Sequence, residues 1–396
     1  MRVVILGGGI SGLSAAWYLL KKIPNAQITL FEKEERLGGW IESKQQGAFT
    51  FELGPRTFQT GRSPLLLQMV QELGLEVVYS ASAPKFLLHQ GSLRPLRSFW
   101  PQLAYAALRD LCMPRGKGQE ETIYQFAARR MGKGAAELFF DPMAKGVYGG
   151  DIRKLSASAS FPFLFKQRSL VLSMLTAKKE AGLFTLRRGM ESLIDALKTL
   201  PIEIHRKAPV EEIRENGVVA KEKFWPADLI ISSLPGLEIA RLTKIPLSLR
   251  NEPISVVNFG YSGEILPKKG YGYLVPSREG EKILGQIWDT SIFPIPGQTK
   301  ITSMVRGFSP LAIAKDALYR HLNVREEPMA IAMKEASIPQ YDVGHISRIE
   351  AFEKEIASCF SGKLKLTGNY LHGASVEACL RQCHDLFQVS YSEGRN

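Results

Sequence analysis

Cysteine and histidine are scarce in this chain, four and six among 396 residues. Cys112, Cys359, Cys379 and Cys383 form no C-x-x-C pair. Cys379 and Cys383 are spaced to share a helix face and His384 follows, but four good ligands do not converge, so no metal centre is expected. So few cysteines suit a reducing compartment. No apolar run reaches the roughly 18 residues that span a bilayer. Low-complexity tracts, internal repeats and recognised nucleic-acid-binding modules are absent. Neither a Ser/His/Asp grouping nor an acid/base pair points to nucleophilic catalysis. The first residues already read as a strand, which leaves no room for a signal or transit peptide. A cytoplasmic protein is the expectation.

Positive charge is what the chain has in excess. Lys and Arg number 51 against 39 Asp and Glu, a net charge of +12. That field favours anionic partners, such as anionic lipid or a carboxylated substrate. A basic surface kept for solubility is the plain alternative. With 45% hydrophobic and 23% charged residues, the chain has the composition of a globular protein of two or three lobes.

The organising stretch lies at the N-terminus. Residues 3–6 are a β-branched apolar run, as a strand buried on both faces requires. Gly7, Gly9 and Gly12 follow at G-x-G-x-x-G spacing, and Leu13, Ala16, Trp17 and Leu20 continue at helical spacing. The first glycine permits a tight turn and the second admits a pyrophosphate. The third lets the helix pack close to the strand, with its first amides aimed at the phosphates. A second strand over 27–31 ends in Glu32, placed for a ribose hydroxyl. Beyond it, Arg36, Gly38, Gly39 and Trp40 offer a second small backbone to the same cofactor. A plain nicotinamide fold does not require that. No second G-x-G-x-x-G follows a later strand, so an oxidase is favoured over a pyridine-nucleotide reductase. This start resembles the FAD-binding region of the flavin amine-oxidase and carotenoid-desaturase superfamily.

Further along, Phe49, Phe51 and Leu53 alternate as a strand before the Gly54–Pro55 turn. Arg56 emerges from that turn, either to grip a substrate carboxylate bidentately or to form a surface salt bridge. Residues 63–73 read as a capped helix with Pro64 in its first turn and Gly74 as its stop. From 84 to 179, apolar clusters alternate with Arg94, Arg97, Arg109, Arg115, Lys117, Arg129, Arg130, Lys178 and Lys179. A short apolar segment at 169–175 lies between Lys166/Arg168 and Lys178. The pattern predicts a mostly helical lobe that either lies on a membrane or makes its own core. Gly132 and Gly134 break a helix. Short strands are predicted at 202–205, 210–214, 218–220 and 227–235. An antiparallel sheet follows over 246–339, clearest at 255–261, 272–275 and 302–306, as the floor of a substrate cavity. The strand at 364–368 leads to a helix starting near Ala374, Ser375 and Val376. Its N-terminus would stabilise negative charge on a reduced flavin.

The segments GGGISGL (7–13), ERLGGWI (35–41), FELGPR (51–56), PRGK (114–117), GVYGG (146–150), LVPS (274–277) with LG (284–285), and IPQYDVGH (338–345) together resemble the protoporphyrinogen oxidase family. The matches are collinear from end to end. The resemblance implies non-covalent FAD and three two-electron oxidations of a porphyrinogen to a porphyrin, with oxygen as acceptor and peroxide released. It places FAD contacts at Gly7, Gly8, Gly9, Ile10, Ser11, Gly12, Glu32, Lys33, Arg36, Gly39, Trp40, Gly54, Pro55, Arg56, Thr57, Val210, Ala374, Ser375 and Val376. Arg56 matches the arginine facing a substrate carboxylate. Leu274, Leu284 and Met304 match the apolar positions that hold the tetrapyrrole, and Tyr271 stands where an aromatic is found. Ile346, Ser375 and Glu377 depart from the family pattern. No catalytic side chain is demanded, because flavin N5 accepts the hydride.

The expected fold is α/β. A Rossmann-like FAD domain (1–80, 182–245 and 345–396) joins a helical, membrane-associating lobe (84–180) and an antiparallel substrate domain (246–344). The expected partners are a porphyrinogen, oxygen and the inner face of an anionic membrane, with an adjacent haem-pathway chelatase and a second copy of the chain as further candidates. Coproporphyrinogen oxidation on the same fold is the nearer rival, and a non-catalytic FAD-binding scaffold the more distant one.

Overall fold

The computed structural model describes residues 1–80, 83–113, 121–162 and 182–389. The resemblance at 114–117, the basic positions 115, 117, 166, 168, 178 and 179, and the apolar segment 169–175 lie outside the described residues.

Arg2–Leu6 is the middle strand of a five-stranded parallel sheet. The order is Glu203–His205, Gln27–Phe31, Arg2–Leu6, Leu229–Ser232, Leu364–Leu366. Residues 3–6 of the middle strand are apolar and buried because both faces of the sheet are covered there. On one side Val3 and Ile5 pack with Leu13, Ile194 and Leu380, from helices Ile10–Lys22, Glu191–Leu197 and Val376–Val389. On the other, Val4 and Leu6 pack with Ile213 and Val218 of a three-stranded meander, and with Ile239 and Ile349 of two further helices.

A seven-stranded sheet forms the second layer, in the order Ala330–Gln340, Arg250–Ser262, Gln298–Val305, Ile283–Ile287, Gly272–Leu274, Lys85–His89, Ser92–Pro95. The last two strands fall where the sequence predicts helix. They close a hairpin on Gln90 and Gly91, both at positive φ, a two-residue turn without the usual Asn-Gly signal. Strand alternation divides this sheet. Val257, Phe259, Tyr273, Ile301 and Val305 face helix Pro310–Leu322. Val256, Asn258, Thr302, Met304, Gly272, Leu274 and Lys334 share the opposite face by register, and that face turns toward the parallel-sheet domain.

Helices Trp100–Cys112, Ile123–Met131 and Asp141–Tyr148 form a separate helical cluster. The first is inverted. Asp110 points inward to Arg130 at 2.6 Å, both side chains almost fully buried, while Trp100, Tyr105, Leu108 and Leu111 are 59–71% exposed. No helix among the described residues is long and apolar enough to cross a membrane.

Candidate cofactor and substrate site

The glycines of the first turn divide the work as their spacing predicts. Gly7 takes φ +94° and donates its N–H to Phe31 at 2.8 Å. A Cβ on Gly12 would run into the Gly7 carbonyl, so that position sets the strand–helix approach. A Cβ on Gly9 would meet nothing nearer than the Gly39 Cα at 3.9 Å. Gly9 also begins the helix, which no side chain caps. The turn thus presents bare backbone and first-turn amides to open space, which fits a pyrophosphate. Ile10 and Ser11 are buried beneath it.

Glu32 stands at the C-terminal end of its strand. Its Oε2 accepts the Gly8 N–H at 2.7 Å and its Oε1 the Glu34 N–H at 3.0 Å, so the carboxylate is fixed beside the turn with lone pairs left for a ribose. Lys33 is exposed, 3.7 Å from Glu34. Val210 is buried at the start of its strand, next to Ala208, whose N–H bonds the Glu32 carbonyl at 2.9 Å. Arg36 spends its guanidinium on its own loop, donating to the carbonyls of Leu37 and Ile41 at 2.8 Å and of Gly39 at 2.6 Å. That grip presents Gly39 to Gly9. Trp40 is partly exposed, and its carbonyl lies where a Cβ on Gly54 would fall. The half-buried Pro55 follows.

The C-terminal loop closes the other side. Ala374 packs on the helical cluster. Ser375 accepts the Ala378 N–H at 3.1 Å, and Val376 is buried against the first helix. Two residues without a predicted role hold this loop. Tyr341 donates to the Asn369 carbonyl at 2.6 Å and accepts the Gly373 N–H at 3.0 Å. His345 stacks on it at 4.2 Å and bonds the Leu371 carbonyl at 3.1 Å. Their signal was the IPQYDVGH segment itself. Glu377, one of the departures, is buried and accepts the N–H groups of Leu65 and Leu66 at 3.3 and 3.0 Å. It caps helix Pro64–Glu72 in place of Ser63, which makes no cap bond.

The substrate candidates converge on the inward face of the seven-stranded sheet. Leu274, Gly285, Met304 and Val256 lie in one row across four strands, with Leu284 buried at the bulge beside them. A Cβ on Gly285 would meet the Tyr273 carbonyl at 2.5 Å and the Leu274 side chain at 3.0 Å, so the glycine lets Leu274 lie over it. At the far end of this row Lys334 donates to Glu42 at 2.7 Å and to the Gly39 carbonyl at 3.3 Å. That contact joins the apolar floor to the cofactor loop.

Arg56 is nine-tenths buried, and its guanidinium faces protein. Nη2 donates to the Glu52 carbonyl at 2.9 Å. Nη1 meets Thr302, Asn258 and Asp289, the last two at 3.4 Å. Asp289, Asn258 and Thr302 went unrecognised because they reach Arg56 from strands and turns 200 or more residues away. Thr57 hydrogen-bonds the Tyr271 hydroxyl, whose pKa burial pushes up. The exposed cation at this end is Lys85, whose ammonium stands 5.6 Å from the Tyr271 ring centre and has no carboxylate partner among the described residues. Its backbone pairs with Gly272 at the sheet's far edge.

Residues 10–307 match the family described as flavin containing amine oxidoreductase. The chain is 32% identical to human protoporphyrinogen oxidase over 96% of each chain, and 26% identical to coproporphyrinogen III oxidase of Bacillus subtilis, also over 96% of each. Its fold resembles that of a candidate protoporphyrinogen oxidase from Exiguobacterium sp. 255-15, with a TM-score of 0.84, 24% identity and 99% coverage of both chains. It also resembles putrescine oxidase, at a TM-score of 0.73, 16% identity and 99% coverage of both.

Proposed function

The chain belongs to the flavin-containing amine oxidoreductase family, and from that premise we propose that it oxidises protoporphyrinogen IX to protoporphyrin IX. It is an FAD-dependent oxidoreductase. Three rounds of two-electron oxidation, each passing electrons to oxygen, release three molecules of peroxide.

The observation that carries this reading is the contact between Gly39, Gly9 and Lys334, which brings the apolar row of the sheet up to the glycine turn. In this reading, Gly7 to Gly12, Glu32, Gly39, Gly54 and Ser375 hold FAD, which supplies the hydride acceptor when bound. The chain's own part is positioning. Leu274, Met304 and Val256 exclude water and take the flat of the ring, with Leu284 packed behind them. Lys85, at the open edge, takes a propionate with Tyr271 beside it. Arg56 shapes the slot from beneath, its charge balanced by Asp289.

A peripheral membrane site on the helical cluster follows from helix Trp100–Cys112. Its Asp110 points inward, while an apolar outer stripe is flanked by exposed Arg94 and Arg97, a pairing suited to the interface of an anionic bilayer. The inner face of the cytoplasmic membrane, where a late-pathway chelatase would receive the porphyrin, is the location this predicts.

The decisive experiment is an aerobic assay of the flavin-loaded protein on protoporphyrinogen and coproporphyrinogen, counting porphyrin by fluorescence and peroxide per porphyrin. Three peroxides per porphyrin are expected. No porphyrin from either substrate would leave only an FAD-binding scaffold.

A further inference from the structure

The slot has a second end. Helix Asp141–Tyr148 crosses the inward face of the sheet beyond the Leu274–Met304 row. Its two glycines let it sit close. A Cβ on Gly146 would come within 2.9 Å of Leu274, and one on Gly149 within 2.8 Å of Ile254 and 3.8 Å of Leu284. The helix therefore backs the same apolar wall that Arg56 and Lys85 bound from the other side. Along the strands, Thr302 beneath Arg56 and Arg306 beside Gly149 are four residues apart, roughly 13 Å. A flat tetrapyrrole fills such a span.

This helix carries Lys145, whose side chain is 7% exposed. Its nearest carboxylate oxygen, Asp141 Oδ2, is 3.8 Å away, beyond hydrogen-bonding reach. Asp141 is committed elsewhere, accepting the Ser277 N–H at 2.5 Å and the Ser277 hydroxyl at 2.7 Å. Asp151 and Arg306 are the other charged groups near the ammonium, and burial pulls its pKa below the ordinary lysine range. Arg306, a like charge that disfavours the ammonium, donates to the Gly149 carbonyl and pairs with Glu252 at 3.0 Å. A mostly buried ammonium whose one ion pair is as long as 3.8 Å keeps its donors for an anion that comes closer.

We propose that Lys145 is a second anion anchor of the slot, taking a carboxylate on the tetrapyrrole edge opposite Lys85. Substrates with carboxylates on both edges, coproporphyrinogen III among them, then reach both anchors at once. The inference rests on the substrate class proposed above and extends it to porphyrinogens bearing four carboxylates.

The test compares wild type with Lys145→Met, and with Lys145→Arg as the charge-keeping control, each checked for flavin absorbance. The ratio of kcat/KM for coproporphyrinogen III over protoporphyrinogen IX should fall about tenfold or more in Lys145→Met and recover in Lys145→Arg. The Kd of coproporphyrin III, read by fluorescence quenching, should rise by a similar factor relative to protoporphyrin IX. If Lys145→Met fails to retain flavin, Lys145→Gln takes its place. A ratio unchanged in the variants, or both substrates losing equally, overturns the anchor. So does a wild type that oxidises protoporphyrinogen but neither oxidises coproporphyrinogen nor binds coproporphyrin III. A wild type inactive on both porphyrinogens defeats the broader functional reading instead, and the two failures are thereby separable.

Discussion

Arg56 and Asp289, 233 residues apart, meet at 3.4 Å in the interior of the protein. Thr302 joins them, donating its hydroxyl to Asp289 at 2.8 Å. An enclosed pair of this kind is most damaging when half of it is removed. Arg56→Ala should therefore cost about 3–5 kcal/mol of stability, measured by denaturant unfolding, in addition to any rise in KM. Asp289→Asn should cost less, because the amide still accepts a hydrogen bond from the guanidinium. If Arg56→Ala unfolds as the wild type does but binds substrate poorly, the guanidinium faces substrate and not Asp289.

Gly9 and Gly12 separate cofactor binding from folding. A Cβ on Gly9 makes only an ordinary 3.9 Å contact with the Gly39 Cα, so Gly9→Val should fold with native far-ultraviolet circular dichroism yet purify colourless. Gly12→Val would drive its side chain into the Gly7 carbonyl and should fail to fold. Yellow, active Gly9→Val protein would show that the pyrophosphate lies elsewhere.

His345 gives the stability a defined pH dependence. Burial holds its pKa below the ordinary histidine value, and Nδ1 has no hydrogen-bond partner among the described residues. A proton there would find no acceptor. With the folded pKa depressed, its contribution is complete above the unfolded value near 6.5 and is lost as pH falls below it. Stability should drop by up to about 1.4 kcal/mol per pH unit in that window. In His345→Gln the slope should flatten. An unchanged slope would place the titrating group elsewhere.

The outer stripe of helix Trp100–Cys112 should govern lipid binding. Replacing Leu108 and Leu111 with Glu removes apolar area and adds repulsion. Sedimentation with anionic vesicles should fall several-fold while flavin content and activity on detergent-solubilised substrate persist. Binding that resists both these substitutions and high salt would exclude this face.

The nucleotide domain was legible because its signals are local. Gly7, Gly9 and Gly12 act within one turn, and Glu32 lies one strand away. The antiparallel strands at 250–262, 272–274 and 298–305 were legible as alternation and fall close to where the sequence predicts them. What escaped is what only tertiary structure brings together. Nothing near Arg56 in sequence announces Asn258 or Asp289, so an enclosed guanidinium reads the same as an open one. Lys85 sits in a hairpin whose Gln90–Gly91 turn carries a weak signal, and its neighbours look helical. The apolar stripe of residues 100–112 has helical spacing whether it faces in or out. Only the burial of Asp110 against Arg130 fixes the direction.

Cys383 donates its thiol to the Ser11 carbonyl at 3.1 Å, across 372 residues of chain, and in doing so couples the nucleotide turn to the order of synthesis. The helix that covers the first helix is made 372 residues after it. At roughly 5–20 residues per second, the interval is tens of seconds. Throughout it Leu13 and its neighbours lack Leu380 and Cys383, so the nascent chain carries an uncovered apolar surface. Flavin cannot be enclosed before that helix is made. Premature termination anywhere before Val376 would therefore yield a colourless protein, even with every residue of the glycine turn in place.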